Sequence, residues 1–224
     1  MTKFYLAIFL LSILLLTSCV KEIKNNDSVD SKNRVNEYAL VIHGGAGNIY
    51  KGRYTEEEEK LYKDKLSEAL ILGKEILTEG GSSVDAVETV IRVLEDSPLF
   101  NAGKGAVFTE DGNVELDASI MNGKDISAGG VASLKHIKNP ITLARFVMEH
   151  SPHVLLFGEG AEKFADEFGM PKVDNYYFKT KERIEEYNKN KTVASIENTD
   201  YKFGTVGCVA IDKKGNLAAG TSTG

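Results

Sequence analysis

A threonine between two glycine-flanked positions, in Gly204-Thr205-Val206-Gly207, stands at the head of an alternating run that ends at Ile211 in a chain of 224 residues. A hydroxyl is a poor nucleophile until a base takes its proton. A threonine at a chain terminus carries that base itself, in an α-amino group whose ordinary pKa is about 7.7–8.0. Thr205 is internal, so the chemistry requires scission of the Gly204–Thr205 bond, and glycine before that bond leaves it open and tolerant of strain. By the residues alone, the plainer reading is a β-branched residue opening a strand.

The other residues able to do chemistry are weaker candidates. His43-Gly44-Gly45-Ala46-Gly47 is glycine-rich, but neither dinucleotide-binding nor Walker spacing is present and no helix opens on its last glycine, which argues against a phosphate cradle. His43 reads as a structural histidine at a strand end, with no Gly-x-Ser-x-Gly elbow to partner it. His136, His150 and His153 lack metal-ligand spacing. Cys208 has no histidine near it in sequence and reads as a small buried apolar residue. The chain carries a formal charge of −6 without a Lys/Arg face interleaved with aromatics, which excludes a nucleic-acid binder that works by neutralising phosphates.

Several elements must position these residues. Tyr38 to Ile42 reads as a buried strand running into the glycine-rich turn. Glu56 to Leu77 has apolar residues at helical spacing and stops at Gly80-Gly81. Ser82-x-x-Asp85 forms a capping box for a second helix that closes before Pro98. Ala106–Thr109, a Glu110-Asp111-Gly112-Asn113 turn and Val114–Met121 read as a hairpin. A strand over Ala128–Leu134, a helix from Pro140 to His150, a short strand Val154–Phe157 and a helix Gly158–Phe168 follow. Residues 172–204, rich in Lys, Glu, Asn and Tyr, read as a flexible connector. Thr205–Ile211 and Leu217–Thr223 then form a closing hairpin. Antiparallel clusters between helices specify an α+β fold with stacked layers.

The N-terminus is of another kind. Lys3, an apolar stretch Leu6–Leu16 and the ending Leu16-Thr17-Ser18-Cys19 read as a signal peptide over 1–18 of the lipoprotein type, with Cys19 as the lipidated residue and 19–37 as a polar tether. The expected location is the bacterial cell envelope, on the periplasmic or surface side, with the membrane reached only through the lipid. An unmodified secretory signal or an uncleaved anchor are the alternatives.

Taken in order, "VIHGGAG" at 41–47, the 82–123 segment with "LEDSPLFNAGKG" and "ELDASIMNG", "NPITLARFVMEHSPHVLLFGEGAEKFA" at 139–165, and "GTVGCVAIDKKGNLAAGTSTG" at 204–224 resemble the plant-type L-asparaginase and isoaspartyl peptidase family of N-terminal nucleophile hydrolases. The resemblance implies a four-layer αββα sandwich made as one precursor. It implies cleavage before Thr205 into an α portion, 38–204, and a β portion that begins with 205–224, pairing into an (αβ)2 assembly. By the same resemblance Thr205 is the nucleophile and its freed amine the base, acting on L-asparagine or β-aspartyl dipeptides through a β-aspartyl ester. Thr223 orients the nucleophile, Asn101 shapes the pocket, and Gly44 and Gly45 shape the cleavage geometry. Catalysis would need no cofactor. A structural sodium ion would be wrapped by the backbone carbonyls of Leu94, Glu95, Ser97, Phe100, Ala102 and Lys104, of which Lys104 departs from the usual apolar residue.

Family members continue past the second threonine into segments bearing a substrate-clamping arginine and aspartate and a Gly-Thr-Gly oxyanion hole, which these 224 residues do not include. The fold is therefore expected to be incomplete at the C-terminus, and the chain to be a fragment or a truncated copy. Glycosylasparaginase activity and an inactive envelope-anchored remnant are the alternative functions.

Overall fold

The computed structural model describes residues 38–46, 50–192 and 204–224. The leader, Cys19, the tether over 19–37, Gly47 and the 193–203 part of the connector lie outside the described residues.

β1 (Ala39–His43) leads to α1 (Glu56–Thr78) and α2 (Ser83–Glu95). Both helices open on capping boxes. Thr55 and Glu58 bond reciprocally at the first, and Ser82 and Asp85 at the second, satisfying amides that the helix itself leaves unpaired. Four glutamates, Glu56 to Glu59, fill the first turn of α1, where the helix dipole favours negative charge. β2 (Leu116–Asn122), β3 (Ser127–Leu134), α3 (Pro140–His150), β4 (Leu155–Phe157) and α4 (Gly158–Glu167) follow. A helix α5 (Lys181–Thr192) precedes β5 (Thr205–Ile211) and β6 (Leu217–Thr223).

Among the described residues the strands form one sheet in the order β1-β5-β6-β2-β3-β4, with the β3–β4 pair parallel and the other pairs antiparallel. Alternation along the strands gives the sheet two unlike faces. Leu116, Ala118 and Ile120 of β2, Val206, Cys208 and Ala210 of β5, and Ala218 and Ser222 of β6 are buried. Above them α2 packs on β5 and β6, while α3 packs on β2 and β3. Val87, Val90, Ile91 and Leu94 of α2, fully buried, recur at helical spacing and supply the centre of this core. The intervening positions face the other way: Val41, Val209 and Leu217 are 68, 50 and 53% exposed. Thr205, Thr221 and Thr223 share this second face.

The α+β class is thus present, and the described residues supply one sheet and one helical layer of the expected sandwich. Three expectations need correction. β1 is not a buried strand but lies at one end of the described sheet, each of its residues at least partly exposed. Ala106–Thr109 is no strand, and β2 pairs instead with β3 and β6. The turn itself does form, with Thr109 N–H donating to Asn113 O and Gly112 at φ +76°. Its arms cannot form a ladder, because Val107 N–H is taken by the Asn101 side chain and Val114 N–H by that of Asn175. The described part of the connector, residues 172–192, is also not a plain tether. Asn175–Phe178 is a 3-10 turn with Phe178 fully buried, and α5 follows it.

Candidate active site

The β5–β6 register sets Thr205 directly opposite Thr223. Thr205 Oγ1 donates to Thr223 Oγ1 at 3.1 Å, and Thr223 Oγ1 donates to the Gly204 carbonyl oxygen at 3.2 Å. One hydroxyl therefore touches both the attacking oxygen and the carbonyl it would attack. Proton transfer along this line would carry the Thr205 proton toward the oxygen on which negative charge develops.

Asn101 lies beside the same bond. A Cβ built on Gly204 would stand 2.8 Å from Asn101 Cβ, so a side chain before Thr205 would collide with it. Asn101 is 7% exposed and its amide is fixed at both ends. Nδ2 donates to the Gly224 carbonyl at 2.9 Å, and Oδ1 accepts from Val107 N–H at 2.9 Å. Gly45 closes the other side. It adopts φ +130°, which side-chain-bearing residues rarely adopt, and its missing Cβ would lie 3.3 Å from Gly204 Cα and 3.6 Å from Thr205 N. Gly44 sits against the Phe100 ring, and so ties the β1 end to the loop that carries Asn101. His43 is exposed and pairs with Gly207 in the β1–β5 register, its ring over that glycine, where Nε2 would be 2.2 Å from a Cβ. The structure thus gathers Thr205, Thr223, Gly204, Asn101 and Gly45 around one peptide bond and sets Gly44 behind them.

The 94–104 loop curls inward on its carbonyls. A Cβ on Gly103 would meet Glu95 O at 2.3 Å, and one on Gly105 would meet Phe100 O at 2.1 Å and Pro98 O at 2.6 Å. Main-chain oxygens are the kind of donor a hard cation takes, and Glu95 and Phe100 are two of the six residues expected to supply them. No cluster of His, Cys, Asp or Glu suited to a metal occurs among the described residues. The Lys104 ammonium lies 5.4 Å over the Tyr177 ring, so its side chain points to an aromatic partner. The Glu95 side chain has a separate task. Burial pushes its carboxyl up to about 8, against the bonds it accepts from the Ser222 hydroxyl, Ile141 N–H and Asn139 Nδ2. It fastens the end of α2 to the start of α3 and to the residue beside Thr223.

Cys208 is a free thiol, 2% exposed on the helix-facing side of β5, and burial pushes it up to about 12. Such a thiol is a poor source of thiolate. His136 Nδ1 donates to the Val173 carbonyl oxygen at 3.1 Å, and His150 stacks on Phe168; neither contact involves the Thr205 cluster. Two contributors escaped sequence reasoning, Val107 N–H and the Gly224 carbonyl, because backbone groups leave no residue-type signal.

Residues 36–224 match the family described as asparaginase. The chain is 46% identical over 199 residues to the isoaspartyl peptidase of Salmonella typhimurium, an alignment spanning 85% of this chain and 63% of that protein. It is 45% identical over 193 residues to the isoaspartyl peptidase of Escherichia coli, covering 83% of this chain and 60% of the other. With the mouse isoaspartyl peptidase/L-asparaginase the identity is 46% over 188 residues, 83% of this chain and 56% of the other. The chain therefore spans less than two thirds of the length of these relatives.

Proposed function

The chain belongs to the asparaginase family, and from that membership we propose that the full-length protein is a self-processing amidohydrolase acting on β-aspartyl dipeptides and L-asparagine. The observation that carries the proposal is the hydroxyl line from Thr205 through Thr223 to the Gly204 carbonyl, at 3.1 and 3.2 Å. In the first reaction Thr205 Oγ1 attacks the Gly204 carbonyl carbon, its proton passing through Thr223. The Gly204–Thr205 C–N bond breaks as an ester forms on Thr205 Oγ1, the transferred proton ending on the departing Thr205 nitrogen, and water then hydrolyses that ester. The products are a carboxylate on Gly204 and a free amine on Thr205. In the second reaction this amine takes the hydroxyl proton, Thr205 Oγ1 attacks the side-chain or isopeptide carbonyl, and ammonia or an amine leaves. A β-aspartyl ester remains, which water hydrolyses.

Three further readings belong with this one. The processed α and β portions would pair into an (αβ)2 assembly. The carbonyls of Leu94, Glu95, Ser97, Phe100, Ala102 and Lys104 would hold a structural sodium ion, which would stiffen the loop presenting Asn101. Cys19, if lipidated, would place the protein in the bacterial envelope, and Cys19→Ala should then move it from the membrane to the soluble fraction. Among the described residues, no helix is long and apolar enough to cross a membrane. Glycosylasparaginase activity is not favoured by the relatives, whose names are those of isoaspartyl peptidases.

On a denaturing gel the full-length wild type is expected to resolve into two fragments and Thr205→Ala into one intact band. Purified mature protein should hydrolyse β-aspartyl-leucine. An intact wild-type band, or a Thr205→Ala variant that still splits, would refute self-processing. Turnover of glycosylated asparagine in preference to the dipeptide would overturn the substrate assignment.

A further inference from the structure

The segment before β5, expected to be a bare connector, is clamped along the loop that carries Asn101. Asn175 Nδ2 donates to Val114 O, Lys179 Nζ to Gly112 O and the Tyr187 hydroxyl to Glu110 O, each at 2.8 Å. Arg183, 9% exposed, is the innermost of these grips: Nε donates to the Gly105 carbonyl at 2.7 Å, and Nη1 pairs with Glu186 at 2.8 Å. The three residues from Gly105 onward then do three different things. Gly105 gives its carbonyl to Arg183, Ala106 packs so closely on Gly224 that a Cβ there would be 2.1 Å from its own, and Val107 gives its N–H to Asn101 Oδ1. Asn101 in turn abuts Gly204.

We infer that Arg183 is a positioning residue for scission of the Gly204–Thr205 bond: by holding the Gly105 carbonyl it fixes the turn that sets Asn101 against Gly204. The inference rests on the self-processing reading above. It gives the segment before the cut a task that a plain tether lacks, since α5 would hold the cleavage loop from the α side of the bond. A charge-assisted bond to a buried carbonyl is among the stronger ones available, and removing the donor leaves that carbonyl unpaired.

The test is the half-life of the full-length precursor in wild type, Arg183→Met, Arg183→Lys, Asn101→Ala and the Arg183→Met/Asn101→Ala double variant, with circular dichroism as a check on folding. Arg183→Met should lengthen the half-life about tenfold or more, since small misplacements of reacting groups cost rate steeply. Arg183→Lys, which keeps a cationic donor, should recover most of it. In the Asn101→Ala background Arg183→Met should add nothing, because two residues acting through one path are not additive. Equal half-lives for wild type and Arg183→Met, no recovery by lysine, or full additivity with Asn101→Ala would each overturn the role of Arg183. Should Arg183→Met not fold, Arg183→Gln in both backgrounds is judged by the same criteria. A wild-type precursor that never cleaves overturns the self-processing reading and this inference with it, whereas a cleaving wild type beside an unaffected Arg183→Met overturns the inference alone.

Discussion

At the scale of the residue, Thr223 is the joint of the site, because its one oxygen both accepts from Thr205 and donates to Gly204. A methyl in place of that hydroxyl removes donor and acceptor together at nearly constant volume. Thr223→Val should therefore slow precursor cleavage by about 10²–10³, the loss typical of one donor aimed at a developing oxyanion. Thr223→Ser should stay much closer to wild type, and densitometry of the precursor band over time checks both. Cys208 gives the opposite expectation. Its raised pKa and burial among apolar neighbours mean that iodoacetamide should leave the native thiol unlabelled at mildly alkaline pH. Labelling should become rapid only in denaturant, as mass spectrometry would read.

At the scale of the element, two joints fix where β5 and β6 lie. Ser82 caps α2 through Asp85 N–H, and replacing it with alanine should lower stability by about 1 kcal/mol in a denaturant titration. Asp212 organises the β5–β6 turn. Its carboxylate accepts from Lys214 N–H and Asn216 N–H at 2.9 and 3.0 Å, and from the amide of Asn216. Burial pushes this carboxyl up, but the bonds from Asn216, Lys214 and Ser83 outweigh it and hold the group below its ordinary 3.8. A lowered folded-state pKa means the unfolded chain binds more protons in acid, so the stabilisation is present above the ordinary carboxylate range and is lost as pH falls through the lower folded value. The stability gap between wild type and Asp212→Asn should accordingly be widest near neutrality and close in acid, and melting curves across pH would show it. A gap that widened on acidification would contradict this account of the turn.

At the scale of the molecule, the sheet has one face packed under helices and another that carries both the site and exposed apolar residues, including Val41, Met121, Val209 and Leu217. A surface of this kind binds hydrophobic fluorophores. The chain of 224 residues should enhance ANS fluorescence, and Val209→Lys with Leu217→Lys should reduce the enhancement at unchanged far-ultraviolet circular dichroism. In the packed layer the cost of change is of another order. Ile91 is fully buried, and Ile91→Ala should cost about 2–5 kcal/mol because the cavity cannot fully collapse.

The sequence by itself determined the elements whose causes are local. Both capping boxes, the proline that opens α3 and the β5–β6 hairpin depend on residues a few positions apart, so type and spacing suffice to read them. It also placed Thr205 at the head of a strand, while the role of the Gly204–Thr205 bond came from the resemblance of the motifs taken in order. Tertiary structure decided what depends on distant partners. Val107 and Val114 could not extend a hairpin because Asn101 and Asn175 had already taken their amides. Residues 175–192 take up regular structure because Phe178 and Arg183 find burial and a carbonyl across the fold, for which the aromatic run Tyr176-Tyr177-Phe178 was the only cue. The hydroxyl line through Thr223 exists because strand register sets the two threonines opposite each other, and Asn101 reaches the same bond only through contacts that span more than a hundred residues of chain.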